Sequence, residues 1–368
     1  MSRRVLIVFS IVGVVLASAL IAPITALAGE VFKSEYKVLE PIHHGNLQVF
    51  PVVAAKSHDT DLFLTLDEGL KSGEVVVTEY GHLPGLIRRH PHPQGAWDGT
   101  APPRPSAQVN QLVLVNNSKR PLILLAGEIV TGGKQDRVIA KDRIVPPESD
   151  PVDLGVFCVE PGRWTGATDK FGTLASAMAA PQVRGSAMAD KNQEKVWSKV
   201  KEAQDAMAVA VPAPAAREVA GTTSYARVMQ NSAVQSKVDS VAGPIESGYE
   251  SVIKQLRDRN AVGVVVAMNG EIIWADIFAS TNLLQKYWPK LIRSYAAEAV
   301  VSKAKGAQAS TRSAQEFLGD LEGRHQSVET EPGLYRQTEV AGDGFKAFEL
   351  TSLLPKTGFD LHLAKMAD

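Results

Sequence analysis

The sequence predicts an α+β fold: a single large domain built on a mostly antiparallel sheet or barrel and flanked by helices. Residues 41–165 break into short apolar or alternating runs separated by Gly, Pro and Asn, the mark of strands and turns. Residues 190–260 switch to apolar repeats at three- and four-residue spacing, the period of an amphipathic helix. After residue 262 a hairpin and a long helix follow, and the chain ends in strand-like runs over 334–363.

Residues 1–28 read as a leader, not as part of the fold. Arg3 and Arg4 precede an apolar run from Val5 to Ala22, then Pro23 and Ala26-Leu27-Ala28. That order fits a signal peptide cleaved after Ala28, with 29–368 as the exported domain. The apolar run is long enough to span a bilayer, so an uncleaved anchor is the competing reading. The expected location is therefore periplasmic or secreted, with membrane contact only through an uncleaved leader.

Charge narrows the partners. The chain carries 39 basic and 40 acidic residues; losing Arg3 and Arg4 leaves 37 against 40, a net charge of −3. A near-neutral balance gives no basic face for nucleic acid. Cys158 is the only cysteine, so no internal disulfide is available and the core must hold the fold. His43-His44 and His90-Pro91-His92 lack the spacing of a metal site, and no cofactor motif is present. His58, Asp59 and Asp61 read as a polar turn.

In chain order, Leu47–Ala54, Val75–Glu79, Gln111–Val115 and Pro121–Leu125 read as strands. His82–Pro105, rich in Pro, Gly and His, reads as a long loop, and Asn116-Asn117-Ser118-Lys119 as a hairpin turn. Val196, Val200, Ala203 and Met207 define a helical face, with Asp190 and Gln193 as a capping box. The Ala/Pro-rich stretch 208–221 reads as a surface connector. Tyr249, Val252, Ile253 and Leu256 mark another helix. Val262–Met268 and Glu271–Phe278, joined by Asn269-Gly270, form a strong hairpin signal over 262–278. Thr281 or Asn282 caps a long helix, 281–304, that carries Pro289. Ser313 and Glu316 suggest a further capping box, and Leu334–Val340, Phe345–Leu350 and Phe359–Leu363 read as strands. Leu122–Asp136 and Val264–Phe278 also echo each other as strand, Gly-Glu-Ile, strand.

Two polar motifs carry the candidate chemistry. In Gly127–Arg137, the pair Gly132-Gly133 lets the backbone approach a ligand closely, and Lys134, Gln135 and Arg137 supply donors suited to phosphate or carboxylate. It is not a P-loop: Gly133 stands where that motif needs Lys. In Cys158–Trp164, Glu160 and Arg163 can pair with each other or face a ligand, and Trp164 can stack on a ring or fill the core. A lone Cys on an apolar strand reads as a small core residue. Each motif also has a plain reading, as a tight turn or an internal ion pair.

The order Glu79, Leu112–Asn116, Gly127-Glu128, Gly132–Arg137, Val145-Pro146 and Cys158-Val159-Glu160-x-Gly162-Arg163-Trp164 resembles one bacterial family. This is the ARG-and-rhodanese-phosphatase-superfamily-associated domain family, formerly a domain of unknown function. The resemblance runs from about Pro41 to the C-terminus and takes in Leu361-His362-Leu363. Asp136 departs from it, at a position that is often Asn. The family's name implies gene-neighbourhood links to ADP-ribosylglycohydrolases and phosphatase-like proteins, and hence a role near ADP-ribose or related phosphorylated metabolites.

Two functions are therefore expected. In the first, the protein binds a small phosphorylated or nucleotide-like anion through Lys134, Gln135, Asp136, Arg137, Arg163 and Trp164; in an enzyme, Glu128 or Glu160 would be the general base. In the second, it is a non-enzymatic envelope protein that binds a protein partner, and the polar motifs form an internal ion-pair network. Under the first reading Arg137 is a surface charge whose loss leaves folding nearly unchanged.

Overall fold

A computed structural model of the chain describes residues 35–79, 112–162, 170–174, 177–256 and 259–368. The leader, the His82–Pro105 stretch, Arg163 and Trp164 lie outside the described residues.

The first half runs β1 (Tyr36–Val38), β2 (Ile42–His44), β3 (Leu47–Ala54), β4 (Leu64–Thr65), α1 (Leu66–Ser72) and β5 (Val75–Glu79). It continues through β6 (Leu112–Asn116), β7 (Leu122–Leu124), β8 (Ile129–Gly132), β9 (Arg137–Ile139), β10 (Arg143–Val145), β11 (Val152–Asp153), β12 (Val156–Cys158) and β13 (Phe171–Thr173). Then come α2 (Pro181–Gly185), a π-helical turn (Ser186–Asp190), α3 (Gln193–Ala210), α4 (Ala213–Ala220), α5 (Tyr225–Gln230) and α6 (Ser232–Lys254). The last elements are β14 (Asn260–Met268), β15 (Glu271–Phe278), α7 (Thr281–Val301), α8 (Thr311–Gly319), β16 (Arg324–Glu331), β17 (Tyr335–Gly342), β18 (Phe345–Ser352) and β19 (Asp360–Ala367).

This is the α+β class the sequence predicts. A nine-stranded sheet runs β1-β3-β14-β15-β19-β18-β17-β16, with β2 also on β3, and every pairing in it is antiparallel. Three small sheets, β10-β7-β4, β11-β6-β5 and β12-β9-β8-β13, complete the described strands; none closes into a barrel. The central strands of the large sheet are buried on both sides. One face packs on α7, whose Leu284, Tyr287, Leu291 and Tyr295 recur at helical spacing, and the other on Ala314 and Leu318 of α8. Double burial explains why β3 and β14 are apolar almost throughout instead of alternating. The small sheets share their own core, including Leu66, Leu114 and Val130. Among the described residues no helix is long and apolar enough to cross a membrane.

Local signals explain most boundaries, and several differ from expectation. Asn269 and Gly270 adopt left-handed backbone, as a two-residue hairpin turn requires. The 208–221 stretch is not a bare connector: α3 runs to Ala210, and α4 begins behind Pro212 with Pro214 in its first turn, where proline's missing N–H costs nothing. The cap of α3 is Asn192, that of α7 is Ser280, and the capping box of α8 pairs Ser310 with Ser313. Asn116–Lys119 is no hairpin turn, because β6 and β7 belong to different sheets. Asn116 Nδ2 instead donates to the Arg120 and Pro146 carbonyls at 2.8 and 2.9 Å, pinning the crossing. The echo between Leu122–Asp136 and Val264–Phe278 likewise dissolves: β7 and β8 lie in separate sheets, whereas β14 and β15 pair.

One fold contact sets a pH dependence. Glu349 on β18 faces Asp360, and burial first, then the Asp360 charge, pushes its carboxyl up to about 8, with Arg336 opposing. An unfolded Glu titrates near ~4.3. Between these values the folded state holds the extra proton, so stability falls as pH rises. The melting temperature should drop from pH 5 to pH 8, and Glu349→Gln should shrink that drop. An unchanged drop in the variant would remove Glu349 as its source.

Candidate functional site

The two motifs, 25 residues apart from Gln135 to Glu160, come together. β8 and β9 pair, β9 pairs β12, and Arg137 stands opposite Cys158. Gln135 Nε2 donates to the Glu160 carbonyl at 3.0 Å, and the Asp136 N–H donates to Glu160 Oε2 at 3.1 Å. Asp136 Oδ1 accepts from the Gly132 N–H at 3.0 Å, and its Oδ2 accepts from Ser224 Oγ, the cap of α5, at 2.7 Å. The Lys134 N–H donates to Glu79 Oε1 at 2.8 Å.

The close approach expected at Gly132-Gly133 is real, but protein fills it. A Cβ at Gly133 would lie 2.2 Å from the Phe171 ring and 2.8 Å from Glu79 Oε1. Gln135, Asp136, Arg137 and Glu160 are all buried, Arg137 completely, and only Lys134 is half-exposed. Arg137 is therefore not a surface charge. Burial lowers its pKa, and Cys158, Glu79, Asp136 and Glu160 oppose that shift. Cys158 is buried, and burial lifts its thiol above the ordinary value.

Glu128 belongs to a different cluster. Its Oε2 accepts from the Leu125 N–H at 2.9 Å and its Oε1 from Lys290 Nζ at 3.1 Å; Lys290 also meets Asp67 at 2.6 Å. Burial raises the Glu128 carboxyl, while Lys290 stays cationic because two carboxylates outweigh its own burial. Lys290→Met should cost about 2–4 kcal/mol in urea denaturation. The loss stays below that of a wholly buried pair, because Asp67 is a third exposed and Glu128 can take up a proton. A loss under ~1 kcal/mol would show that the cluster does not bear on stability.

A second buried cluster crosses the middle of the molecule. Asp142 accepts from the Ala126 N–H at 2.7 Å and meets His362 Nδ1 at 2.5 Å. His362 Nε2 lies 3.0 Å from Asp276, which also accepts from Arg184 at 2.9 Å and from the Tyr295 hydroxyl. All five side chains are buried. Burial disfavours the imidazolium, but Asp142 and Asp276 outweigh it and raise the His362 pKa. Gly127, at φ 93°, makes room: a Cβ there would lie 2.6 Å from the Arg184 side chain. The sequence hint was a polar residue at a core-facing strand position, Asp276 in Ala-Asp-Ile-Phe and His362 in Leu-His-Leu.

Next to this cluster a cleft of about 580 Å³ opens between β12, the π-helical turn and strands β16–β18. Its size suits a nucleotide-sized molecule. Val156, Phe157, Met188 and Phe348 line it with apolar surface, and Lys141, Lys191, Gln326, Gln337 and Glu339 with polar groups. None of the lining residues belongs to the two motifs. The turn Lys141-Asp142-Arg143 divides its work: Lys141 lines the cleft, Asp142 enters the buried cluster, and Arg143 pairs with Glu331 at 2.8 Å. Lys191 pairs with Glu339 at 2.7 Å. Among the described residues no carboxylate pairs with Lys141. Burial, then Arg143 and Lys191, lower its pKa. Sequence reasoning missed this site because Lys-Asp-Arg reads as an ordinary charged turn. Phe157 and Phe348 read as strand residues.

The family model described as the ARG and Rhodanese-Phosphatase-superfamily-associated Protein domain matches residues 35–364, so the chain belongs to that family. No curated protein and no solved structure gives a significant match.

Proposed function

We propose that this member of the ARG and Rhodanese-Phosphatase-superfamily-associated Protein domain family binds a small phosphorylated or nucleotide-like molecule, of the ADP-ribose-related class, in the cleft beside Lys141. The observation that carries the reading is a charge count. Lys141 and Lys191 line the cleft and Arg143 acts on Lys141 from beside it; among the described residues only Arg143 and Lys191 have carboxylate partners, Glu331 and Glu339. A half-buried cation among cations favours an anion beside it. Phe157 and Phe348 offer the apolar surface that a ring would cover, and Gln326 and Gln337 offer amide donors and acceptors.

In this reading the described motif residues hold the site instead of touching the ligand. Gln135, Asp136, Arg137 and Glu160 fix one end of the β9–β12 pair, whose other end supplies Val156 and Phe157 to the cleft. That keeps part of the alternative expectation, a motif that works as an internal polar network. A thermal-shift titration with ADP-ribose, AMP and glucose 6-phosphate tests the reading. At least one phosphorylated compound should raise the melting temperature in a saturable way while its unphosphorylated counterpart does not. No shift from any of them would count against it.

We also propose export. The n-region, apolar run and Ala26-Leu27-Ala28 support a mature protein that starts at Gly29 in the periplasm or outside the cell. N-terminal sequencing of the exported protein should begin at or next to Gly29; an intact Met1 form held in the membrane would mean an anchor.

A further inference from the structure

We propose that Lys141 condenses reversibly with a carbonyl group of the bound anion, so that the cleft captures phosphorylated or carboxylated aldehydes and ketones as protonated imines. The inference rests on the binding reading above and narrows its ligand class.

Three features of the cleft carry it. The first is the absence of a carboxylate partner: among the described residues none pairs with Lys141, whereas its two cationic neighbours are each paired. A lysine in an ion pair has its nitrogen lone pair tied up as ammonium; Lys141 has no such lock. The second is position. Lys141 is half-buried at the wall of a cleft that Phe157, Met188 and Phe348 also line, so a molecule held there lies beside its side chain. The third is the surrounding charge. Arg143 and Lys191 sit nearby, and their effect, added to burial, favours the free amine. These are the conditions under which lysine becomes a nucleophile toward carbonyls. Glu331 and Glu339 act in the opposite direction, but each is engaged by its own cation.

The step balances without any further reagent. The neutral Lys141 nitrogen attacks the carbonyl carbon and forms a C–N bond. The carbonyl oxygen leaves as water with the two amine hydrogens, giving a C=N bond. The imine nitrogen then takes one proton from solvent. The resulting iminium restores the positive charge that Lys141 loses as a free amine, so the ligand's acid group keeps its counter-charge. Hydrolysis reverses each event.

Reductive trapping tests this on the full chain. Pyridoxal 5′-phosphate serves as probe because it joins an aldehyde, a ring and a phosphate. Cyanoborohydride delivers hydride to the imine carbon and fixes the adduct for peptide mass spectrometry. At equimolar probe, Lys141 should be labelled at least tenfold more than exposed lysines such as Lys201 and Lys254. Lys141→Arg, which keeps the cation, should abolish that label. Labelling spread evenly over surface lysines would overturn the inference, as would an unchanged pattern in Lys141→Arg. Pyridoxine 5′-phosphate, which has an alcohol in place of the aldehyde, separates the two levels. If it protects the cleft and binds wild type while no adduct forms at Lys141, binding stands and imine capture falls. If it does not bind and no adduct forms, both fall.

Discussion

Asp276→Ala should leave the protein unable to hold its fold. Asp276 is the carboxylate between Arg184 at 2.9 Å and the His362 ring at 3.0 Å, and it also accepts from Tyr295. Every partner is buried, so water cannot replace the lost contacts. Breaking one buried pair costs about 3–5 kcal/mol, and here the change orphans Arg184 and leaves His362 with Asp142 alone. Against a total stability of about 5–15 kcal/mol, the variant should be insoluble or largely unfolded at 25 °C. A double variant, Asp276→Leu with Arg184→Met, should recover part of the loss. Replacing a buried pair by apolar residues is far less costly than cutting it in half. Urea denaturation of both proteins checks this. A loss under ~1 kcal/mol for Asp276→Ala would show that the cluster is solvated and weak.

The second large effect concerns Arg137. Read from sequence it is a ligand-binding surface charge, dispensable for folding. In the structure it is wholly buried on β9, with the carboxylates of Glu79, Asp136 and Glu160 around it. Arg137→Ala should therefore cost about 3–5 kcal/mol, because three buried acids lose the cation that offsets them. The loss should be smaller at pH 5 than at pH 8, since protonation relieves carboxylates that have lost their counter-charge. Denaturation curves at the two pH values decide it. A variant as stable as the wild type would return Arg137 to the set of ligand contacts.

How much of this was legible in the sequence depends on whether the deciding partner is local. The Asn269-Gly270 hairpin and the face of α7 were readable, because turn chemistry and helical spacing are written in adjacent residues. Strand β16 was not: Arg-His-Gln-Ser-Val-Glu-Thr-Glu has little apolar content, and its place at the sheet edge, paired among the described strands with β17 alone, lets it stay polar. The cap Asn192 was hidden beside the equally plausible Asp190, and only the geometry at the π-helical turn decides between them.

For the site, the two motifs stood out as polar and glycine-rich, and they do meet in space. Their burial could not be read, because it depends on Phe171, Ser224 and Glu79, between 38 and 88 residues away from their partners. Asp142, Asp276 and His362 lie up to 220 residues apart, so no local pattern announces them. Lys141 shows the converse. Its neighbours in sequence, Asp142 and Arg143, look like its partners, yet each turns to a distant residue and, among the described residues, leaves it without a paired carboxylate.

The most direct test of where the ligand sits is a calorimetric titration of ADP-ribose into two variants, Lys141→Ala and Gln135→Ala. Removing one charge-assisted contact costs roughly 1.5–3 kcal/mol, at least a tenfold loss of affinity. Lys141→Ala should show that loss with an unchanged melting temperature, since among the described residues no carboxylate pairs with the half-buried lysine to stabilise the fold. Gln135→Ala should keep its affinity and lose about 1 kcal/mol of stability, the worth of its hydrogen bond to the Glu160 carbonyl. The reverse pattern, with affinity lost in Gln135→Ala and kept in Lys141→Ala, would place the ligand on the motif and contradict the cleft assignment.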